Sequence, residues 1–420
     1  MNVNAPRGTN DILPPLSLQW QYVEKVARDL MTVYNYQEIR TPIFEYTELF
    51  QRGIGDTTDV VEKEMYTFTD KGGRSVTLRP EGTASIVRSF LENKLYGQAL
   101  PAKFCYMGPM FRYERPQAGR FRQFHQLGVE VFGSNDPALD TEVIVLGINY
   151  LNKLGLKNLK LYINSIGCPH CRKEYFAVLR NYLETYHDVL CKDCQGRIDR
   201  NPMRILDCKQ ESCSRAAEEA PRVLDYLCDD CKVHFEEVKT YLNSVGLDYN
   251  IDPNIVRGLD YYTNTVFEVK YAGLGAQDTV FAGGRYNGLA EEIGGKSVPG
   301  VGFAMGMERL MLILEKESAK LPKEAELDLY ITTIGAKAKE VAFKYIYQLR
   351  NKGYKTEIDY MERSMKSQMK AADRMNAVYT IIIGDDELSK GKAQLKNMQT
   401  GEQQEIVLDK MVDTLEDYYK

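Results

Sequence analysis

Lys103-Phe104-Cys105-Tyr106-Met107-Gly108-Pro109-Met110-Phe111-Arg112-Tyr113 and Phe124-His125-Gln126-Leu127-Gly128-Val129-Glu130-Val131-Phe132 are two runs of strand-forming residues. Between them lies Glu114-Arg115-Pro116-Gln117-Ala118-Gly119-Arg120-Phe121-Arg122-Gln123, polar and rich in arginine. The pattern predicts a long antiparallel hairpin with a basic tip. A second stretch, Arg257-Gly258-Leu259-Asp260-Tyr261-Tyr262, stands just before the strand-like Thr263-Asn264-Thr265-Val266-Phe267-Glu268. Two separate sources of guanidinium point to a site that handles phosphate and carboxylate together, because the planar fork suits both anions. The tyrosines offer flat walls with a polar tip, suited to a small ring substrate.

At 420 residues the chain is long enough for two or three domains and a substantial core. A net charge of −5 argues against wholesale coating of nucleic acid but leaves room for local basic strips. Met1 to Pro15 is polar and has no apolar signal-peptide core, and no run is long and apolar enough to span a membrane. These features lead us to expect a cytoplasmic protein.

Further elements follow from periodicity. Leu16 to Tyr34 predicts a helix with Val23, Val26, Leu30 and Val33 on one stripe. Glu38 to Phe44 and Val76 to Leu78 predict strands, the first meeting Pro42 at an edge or interface. Thr83 to Glu92 predicts a helix with Thr83 as its cap, and Asp140 to Leu154 another. Leu159 to Ile163, Tyr249 to Ile251 and Thr265 to Tyr271 predict strands, and Met307 to Glu315 a helix. Lys316 to Glu326, with Pro322, reads as a linker. Beyond it, Leu329 to Thr333, Thr356 to Ile358 and Tyr379 to Ile383 alternate with helical Lys337 to Lys352 and Arg363 to Met375. That alternation predicts a small α/β domain with a largely parallel sheet.

Of nine cysteines, Cys105 stands apart, and the rest form four close pairs: Cys168 with Cys171, Cys191 with Cys194, Cys208 with Cys213 and Cys228 with Cys231. In a reducing compartment such spacing reads as zinc ligation before disulfides, and eight thiolates suffice for two tetrahedral sites. Reduced, partly buried thiols in a helical insert are the alternative. His170 lies inside the first pair and is a substitute ligand.

Two phosphate-binding fingerprints fail. Gly294-Gly295-Lys296-Ser297 ends like a P-loop but has Ala290 at the leading glycine position, and Gly300-x-Gly302 has Met305 at the third. A nucleotide would therefore be gripped by arginine side chains on a sheet.

Thr41-Pro42 precedes Phe44 to Phe50, the arginine hairpin follows, and Gly302 to Gly306 leads into Glu308-Arg309. In this order the pieces resemble the three signature motifs of class II aminoacyl-tRNA synthetases. With Leu78-Arg79-Pro80-Glu81-Gly82-Thr83 and Arg257 to Tyr262, the chain resembles the histidyl-tRNA synthetase family from Pro6-Arg7-Gly8-Thr9 to its C-terminal region. The resemblance implies an α+β fold: a class II antiparallel sheet with flanking helices, a cysteine-rich helical insertion and a C-terminal α/β anticodon-binding domain. It places the catalytic domain in residues 1–167 and 241–322, the insertion in 168–240 and the anticodon-binding domain in 326–420. It implies activation of histidine by ATP with Mg2+, transfer to tRNA(His), and a homodimer formed through the motif containing Pro42.

By the same resemblance, Arg112 grips the α-phosphate and Arg257 reaches it from the opposite side. Arg309 holds the ATP tail, Glu114 and Arg120 contact the nucleotide, and Phe124 stacks on adenine. Glu81, Gly82, Thr83 and Gln126 receive the amino acid's backbone, its α-ammonium above all. Glu130 and Tyr262 each bond one imidazole nitrogen, and Tyr261 and Tyr286 form the walls. Since alternate residues of a strand face opposite ways, one of the two adjacent tyrosines is expected to point away from the pocket. Arg115, Gln117 and Arg122, with Arg120, face the tRNA acceptor end. Arg363, Lys366, Lys370 and Arg374 form a basic stripe opposite Met365, Met369 and Ala372, read either as an RNA contact or as a solvated helix face.

Three other readings compete. One is a non-catalytic, synthetase-like regulatory subunit of ATP phosphoribosyltransferase, which tends to lack the arginines and the C-terminal domain. Another is a prolyl or threonyl enzyme sharing that domain, and a third is a metal-binding RNA module. Arg112, Arg257, Arg309 and residues 326–420 favour the ligase.

Overall fold

The computed structural model describes residues 3–55, 58–273, 278–322 and 326–419. The chain divides into two compact units, one of residues 1–12 and 20–320, the other of 13–19 and 321–420. Within the interval predicted as a linker, residues 323–325 lie outside the described residues.

The first unit contains strands β1 (Gln37–Glu38), β2 (Phe44–Tyr46), β3 (Tyr66–Thr69), β4 (Ser75–Leu78), β5 (Ala102–Phe111), β6 (Gln123–Phe132), β7 (Leu159–Ser165), β8 (Tyr249–Ile251), β9 (Thr263–Tyr271), β10 (Thr279–Arg285) and β11 (Gly300–Gly306). The second contains β12 (Leu327–Thr333), β13 (Thr356–Ile358), β14 (Ala377–Ile383), β15 (Lys392–Asn397) and β16 (Gln403–Val407).

Eight strands of the first unit form one sheet in the order β1-β5-β6-β11-β10-β9-β7-β8. Its interior pairings are antiparallel, and the outermost pairs, β1 with β5 and β7 with β8, are parallel. The predicted hairpin is its spine: β5 and β6 stay in register from Ala102 opposite Phe132 to Phe111 opposite Gln123. Helices Thr83–Glu92, Pro137–Lys153 and Met307–Lys316 accompany this sheet in the unit, as does helix Leu16–Val33 from Trp20 onward. The mixed, largely antiparallel sheet with flanking helices is the α+β architecture expected.

Several local expectations are corrected. Glu38 to Phe44 is not one strand; β1 and β2 flank the break at Pro42, which has no N–H to continue a ladder. Val33 lies exposed at the end of its helix, and Trp20, Ala27 and Met31 join Val23 and Leu30 on the buried face. Thr83 is not a cap. The Glu81 carboxylate accepts the N–H groups of Thr83 at 2.7 Å and Ala84 at 2.8 Å, doing that work from two residues upstream.

Gly283-Gly284-Arg285 ends the central strand β10 and Gly300 to Gly306 forms its neighbour β11, with Gly284 opposite Gly302. A Cβ on Gly283 would lie 2.1 Å from the Gly302 carbonyl oxygen, so these strands approach as only glycine permits.

The cysteine-rich segment folds as helices Pro169–Glu184, Lys192–Arg200, Glu211–Glu218 and Asp229–Ser244. In the second unit the sheet order is β13-β12-β14-β15-β16. The first three strands are parallel as expected, whereas β15 and β16 are antiparallel additions that periodicity did not reveal. Helix Met365–Arg374 buries Gln368, Ala371 and Ala372. Met365 is largely exposed beside the basic stripe, and Arg363 precedes the helix with its Nε donating to Asp359 Oδ1 at 2.6 Å.

Candidate active site

The pocket is built on the face of β5, β6 and β11 and closed by the turn before β9. Glu130, on β6, is 1 % exposed. Its Oε1 accepts the Thr83 hydroxyl at 2.7 Å, and its Oε2 accepts the Tyr286 hydroxyl. A Cβ on Gly302 would lie 2.1 Å from Glu130 Oε2, and one on Gly300 2.3 Å from the Tyr286 ring. The β11 glycines therefore make the space in which Glu130 and Tyr286 meet. Burial pushes the Glu130 carboxyl up to about 8, and the hydroxyl hydrogen bonds only partly oppose this. Burial also raises Glu81, against the opposing effect of its two backbone N–H bonds and of Arg112.

Tyr261, Tyr262 and Tyr286 pack around one another, with ring centroids 4.6, 5.7 and 6.5 Å apart. Neither of the adjacent pair faces away. Both precede β9 in a turn, so strand alternation does not apply, and both are buried. Tyr106, which the sequence did not single out, lies between the backbones of Gly82 and Gly128, where a Cβ would sit 2.4 and 2.2 Å from its ring. Gly82 thus supplies space for the wall. Gln126 Oε1 is buried without a hydrogen-bond partner among the described residues, an open acceptor of the kind an ammonium group requires.

Arginines stand at two edges of this pocket. Arg112 Nε donates to the Pro80 carbonyl at 2.8 Å, its guanidinium lies 5.4 Å from the Phe124 ring centroid, and Glu114 is 3.7 Å away. Arg257 pairs with Glu268 at 2.5 Å and lies 5.6 Å from the Tyr262 ring centroid, with its Nε unpartnered among the described residues. Its charge lowers Tyr262, which burial otherwise raises and which Glu130 and Glu81 raise further; these groups share one electrostatic environment.

The hairpin tip folds back over the start of helix Met307–Lys316. At Gly119 (φ +71°) an added Cβ would lie 3.2 Å from Leu312 and 4.0 Å from Arg309. Arg120 is 3.3 Å from Glu114, and Arg309 donates to the Thr279 carbonyl. Glu308, quoted only as part of a motif, anchors the helix to β6 by accepting the His125 N–H at 2.9 Å and bonding its Nδ1 at 2.8 Å.

Arg115 and Gln117 are exposed on the tip, and Gln117 bridges to Arg120. Arg122, in contrast, is held against its neighbours. Its guanidinium lies 3.9 Å from the Tyr113 ring centroid, and its stem packs against Gly8.

The eight cysteines gather into two groups, Cys168, Cys171, Cys228 and Cys231, and Cys191, Cys194, Cys208 and Cys213. Within each group all sulfurs lie within 4.8 Å of one another. Cys168 and Cys171 are 3.6 Å apart and Cys191 and Cys208 4.0 Å, close to the about 3.8 Å edge of a zinc tetrathiolate tetrahedron and far from a disulfide bond. Backbone N–H groups of Cys228 and Cys191 donate to Cys171 Sγ at 3.1 Å and Cys213 Sγ at 3.2 Å, and Asn264 Nδ2 donates to Cys231 Sγ at 3.3 Å. Donors aimed at sulfur suit thiolates held by a cation. The sequence supplied the pairs; the fold supplies which pairs combine. His170 belongs to neither group.

No helix among the described residues is long and apolar enough to cross a membrane. Residues 8–310 match the family model described as histidyl-tRNA synthetase, and residues 328–418 match that of an anticodon binding domain. A histidine–tRNA ligase of Halothermothrix orenii is 65 % identical over 416 residues, covering 99 % of each chain. One from Caldanaerobacter subterraneus subsp. tengcongensis is 54 % identical over 411 residues, covering 98 % of this chain and 99 % of its own. The crystal structure of apo Staphylococcus aureus histidyl-tRNA synthetase is similar with a TM-score of 0.85 and 46 % identity, over 99 % of this chain and all of that one. Relatives this similar along the whole length favour the ligase over the regulatory-subunit reading. On the family match, the full-length identity and the fold together, this chain belongs to the histidyl-tRNA synthetase family.

Proposed function

We propose that the chain is a histidine–tRNA ligase, acting in the cytoplasm as a homodimer on L-histidine, ATP with Mg2+, and tRNA(His). In this reading residues 1–167 and 241–322 are the catalytic domain, 168–240 the insertion and 326–420 the anticodon-binding domain. The observation that carries it is a buried cluster centred on Glu130, with an open acceptor at Gln126 and arginines at two edges.

Histidine enters with its imidazole toward Glu130 and Tyr262, between Tyr261 and Tyr286. Its α-ammonium faces Glu81, Thr83 and Gln126. A site that pairs both ring nitrogens rejects apolar amino acids, because they leave its buried polar groups unsatisfied. The carboxylate then attacks the α-phosphate, forming histidyl-adenylate and releasing pyrophosphate. Arg112 and Arg257 cover the charge that develops as two anions meet. Glu114, Arg120 and Arg309 hold the rest of the nucleotide, and Phe124 supplies an aromatic face for adenine. A ribose hydroxyl at the 3′ end of the tRNA, guided by Arg115, Gln117 and Arg122, then attacks the adenylate's carbonyl carbon, forming the ester to histidine and releasing AMP. For Arg122 this means acting while stacked on Tyr113 rather than as a free contact.

The two cysteine groups fit structural zinc in number, spacing and donor set. Zinc would supply cross-linking of a small helical module rather than chemistry.

The test is histidine-dependent ATP–pyrophosphate exchange, run beside the other amino acids. Exchange with histidine alone is expected, falling about 100- to 1,000-fold in Arg257→Ala. A folded, metal-replete protein that gives no exchange would return the regulatory reading to first place.

A further inference from the structure

The span between the inner cysteines makes a group of polar contacts with the catalytic fold. Helix Lys192–Arg200 is followed by a short 3-10 turn, Pro202–Ile205. Arg204 Nη1 donates to the carbonyl oxygen of Arg257 at 2.8 Å. Asn201 Nδ2 donates to Asp260 Oδ1 at 2.8 Å, and Arg197 Nη2 to Asp59 Oδ2 at 2.8 Å. Arg204 also lies 3.9 Å from Asp59, and its side chain is 16 % exposed. Three side chains from one short span therefore hold the backbone and the acid of the Arg257–Asp260 turn, and the Asp59 segment beside it.

The same span is fastened at both ends by sulfur. Cys191 and Cys194 stand at the start of the helix, Cys208 follows the turn, and Cys213 completes the group. A cleft of about 490 Å³ lies against this module, lined by Cys191, Cys208 and Arg204 from the insertion and by Arg120 from the hairpin tip. The insertion thus borders the nucleotide-side arginines as well as the histidine-side turn.

We propose that Arg204 is a positioning residue for Arg257, held in place by a metal ion bound to Cys191, Cys194, Cys208 and Cys213. The carbonyl that Arg204 grips belongs to the residue whose guanidinium must reach the α-phosphate. Fixing that carbonyl restrains the backbone turn from which the guanidinium projects, while Glu268 fixes the guanidinium itself. Arg204 touches no substrate in this arrangement. The metal closes the loop that presents it, so that loss of metal returns the loop, and then the turn, to a broader set of conformations. This inference rests on the ligase reading.

The experiment uses the full chain in three forms: metal-replete, stripped by chelator, and Arg204→Ala with its metal retained. Metal content is measured in each, together with deuterium uptake of residues 255–262 and pyrophosphate-exchange kinetics. The replete protein is expected to hold two zinc ions. Both altered forms are expected to take up deuterium faster in that segment. Both should lose about 10- to 100-fold in kcat with the KM for histidine changed less than about threefold, since the defect lies in transition-state placement. Arg204→Lys, which keeps one donor, should recover most of the loss. Unchanged uptake and kcat in Arg204→Ala would overturn the positioning role. Full exchange by a protein shown to be free of metal would overturn the coupling to metal. If the replete protein gives no exchange with histidine, the ligase reading fails; deuterium uptake then decides the Arg204–Arg257 linkage without it.

Discussion

In the proposed site Glu130 accepts an imidazole N–H most strongly when ionised, yet burial favours the protonated acid, with a value of about 8. Histidine offers a neutral imidazole above about pH 6.5. Affinity for histidine should therefore rise between about pH 6.5 and 8, as ionising Glu130 costs less, and fall at higher pH as the substrate's α-ammonium loses its proton. Calorimetric titration across this range checks it, with Glu130→Gln expected to bind weakly and without that rise. The linkage to stability has the opposite sign. The folded value lies above the unfolded carboxylate value of about 4.3, so the contribution is full below that pH and is lost as pH climbs toward 8. The empty site is thus least stable when alkaline. Arg122 shows the other side of residue-scale reading. Its charge was plain in the sequence, but its place on the Tyr113 ring follows from the N-terminal loop packed over it at Gly8.

Among the elements, β10 and helix Pro137–Lys153 are locked by a pair with no exposure at all, Arg285 and Asp140, at 2.6 Å. Arg285 also donates to the carbonyls of Ser134 and Asp136, each at 2.9 Å. His234, from helix Asp229–Ser244, reaches Asp140 at 3.4 Å. Replacing only one partner leaves an uncompensated buried charge, so Arg285→Met is expected to cost about 3–5 kcal/mol in a denaturant titration. A loss below about 1 kcal/mol would mean that Asp140 had found another partner or taken a proton. This knot was not legible beforehand, because Gly283-Gly284-Arg285-Tyr286 carries no strand periodicity. Glycines replace the alternating side chains wherever β10 and β11 must approach closely, and so they erase the signal of the strands that form the pocket floor. The β5–β6 hairpin was legible for the opposite reason: its β-formers continue up to a proline- and glycine-bearing tip. Tyr106 sits inside that legible strand, but nothing local distinguishes it; its role depends on Gly82 and Gly128 clearing space from two other segments. The four cysteine pairs were equally plain, whereas the joining of first with last and second with third depends on how the helices between them turn.

For the whole molecule, the division near residue 320 separates the pocket from the unit that matches an anticodon-binding domain. A chain ending at Lys320 should keep histidine-dependent exchange within about tenfold, yet lose about 100-fold or more in charging tRNA, because a tethered second binding module contributes roughly that much. Equal losses in both assays would mean that the second unit supports the pocket itself. The outer thiolate group has a different consequence. It brings Cys168, just after β7, and Cys231, in the helix that leads back toward β8, to within 4.8 Å at sulfur, so the segment between them begins and ends at one place. A segment with coincident ends is a natural cassette: it can lengthen, shrink or be exchanged during descent without shifting any strand on either side. What such an exchange cannot discard without cost is the small set of side chains facing the Arg257 turn. If Arg204 positions Arg257 as proposed, a transplant carrying the eight cysteines alone is expected to fold and still leave the host enzyme slow.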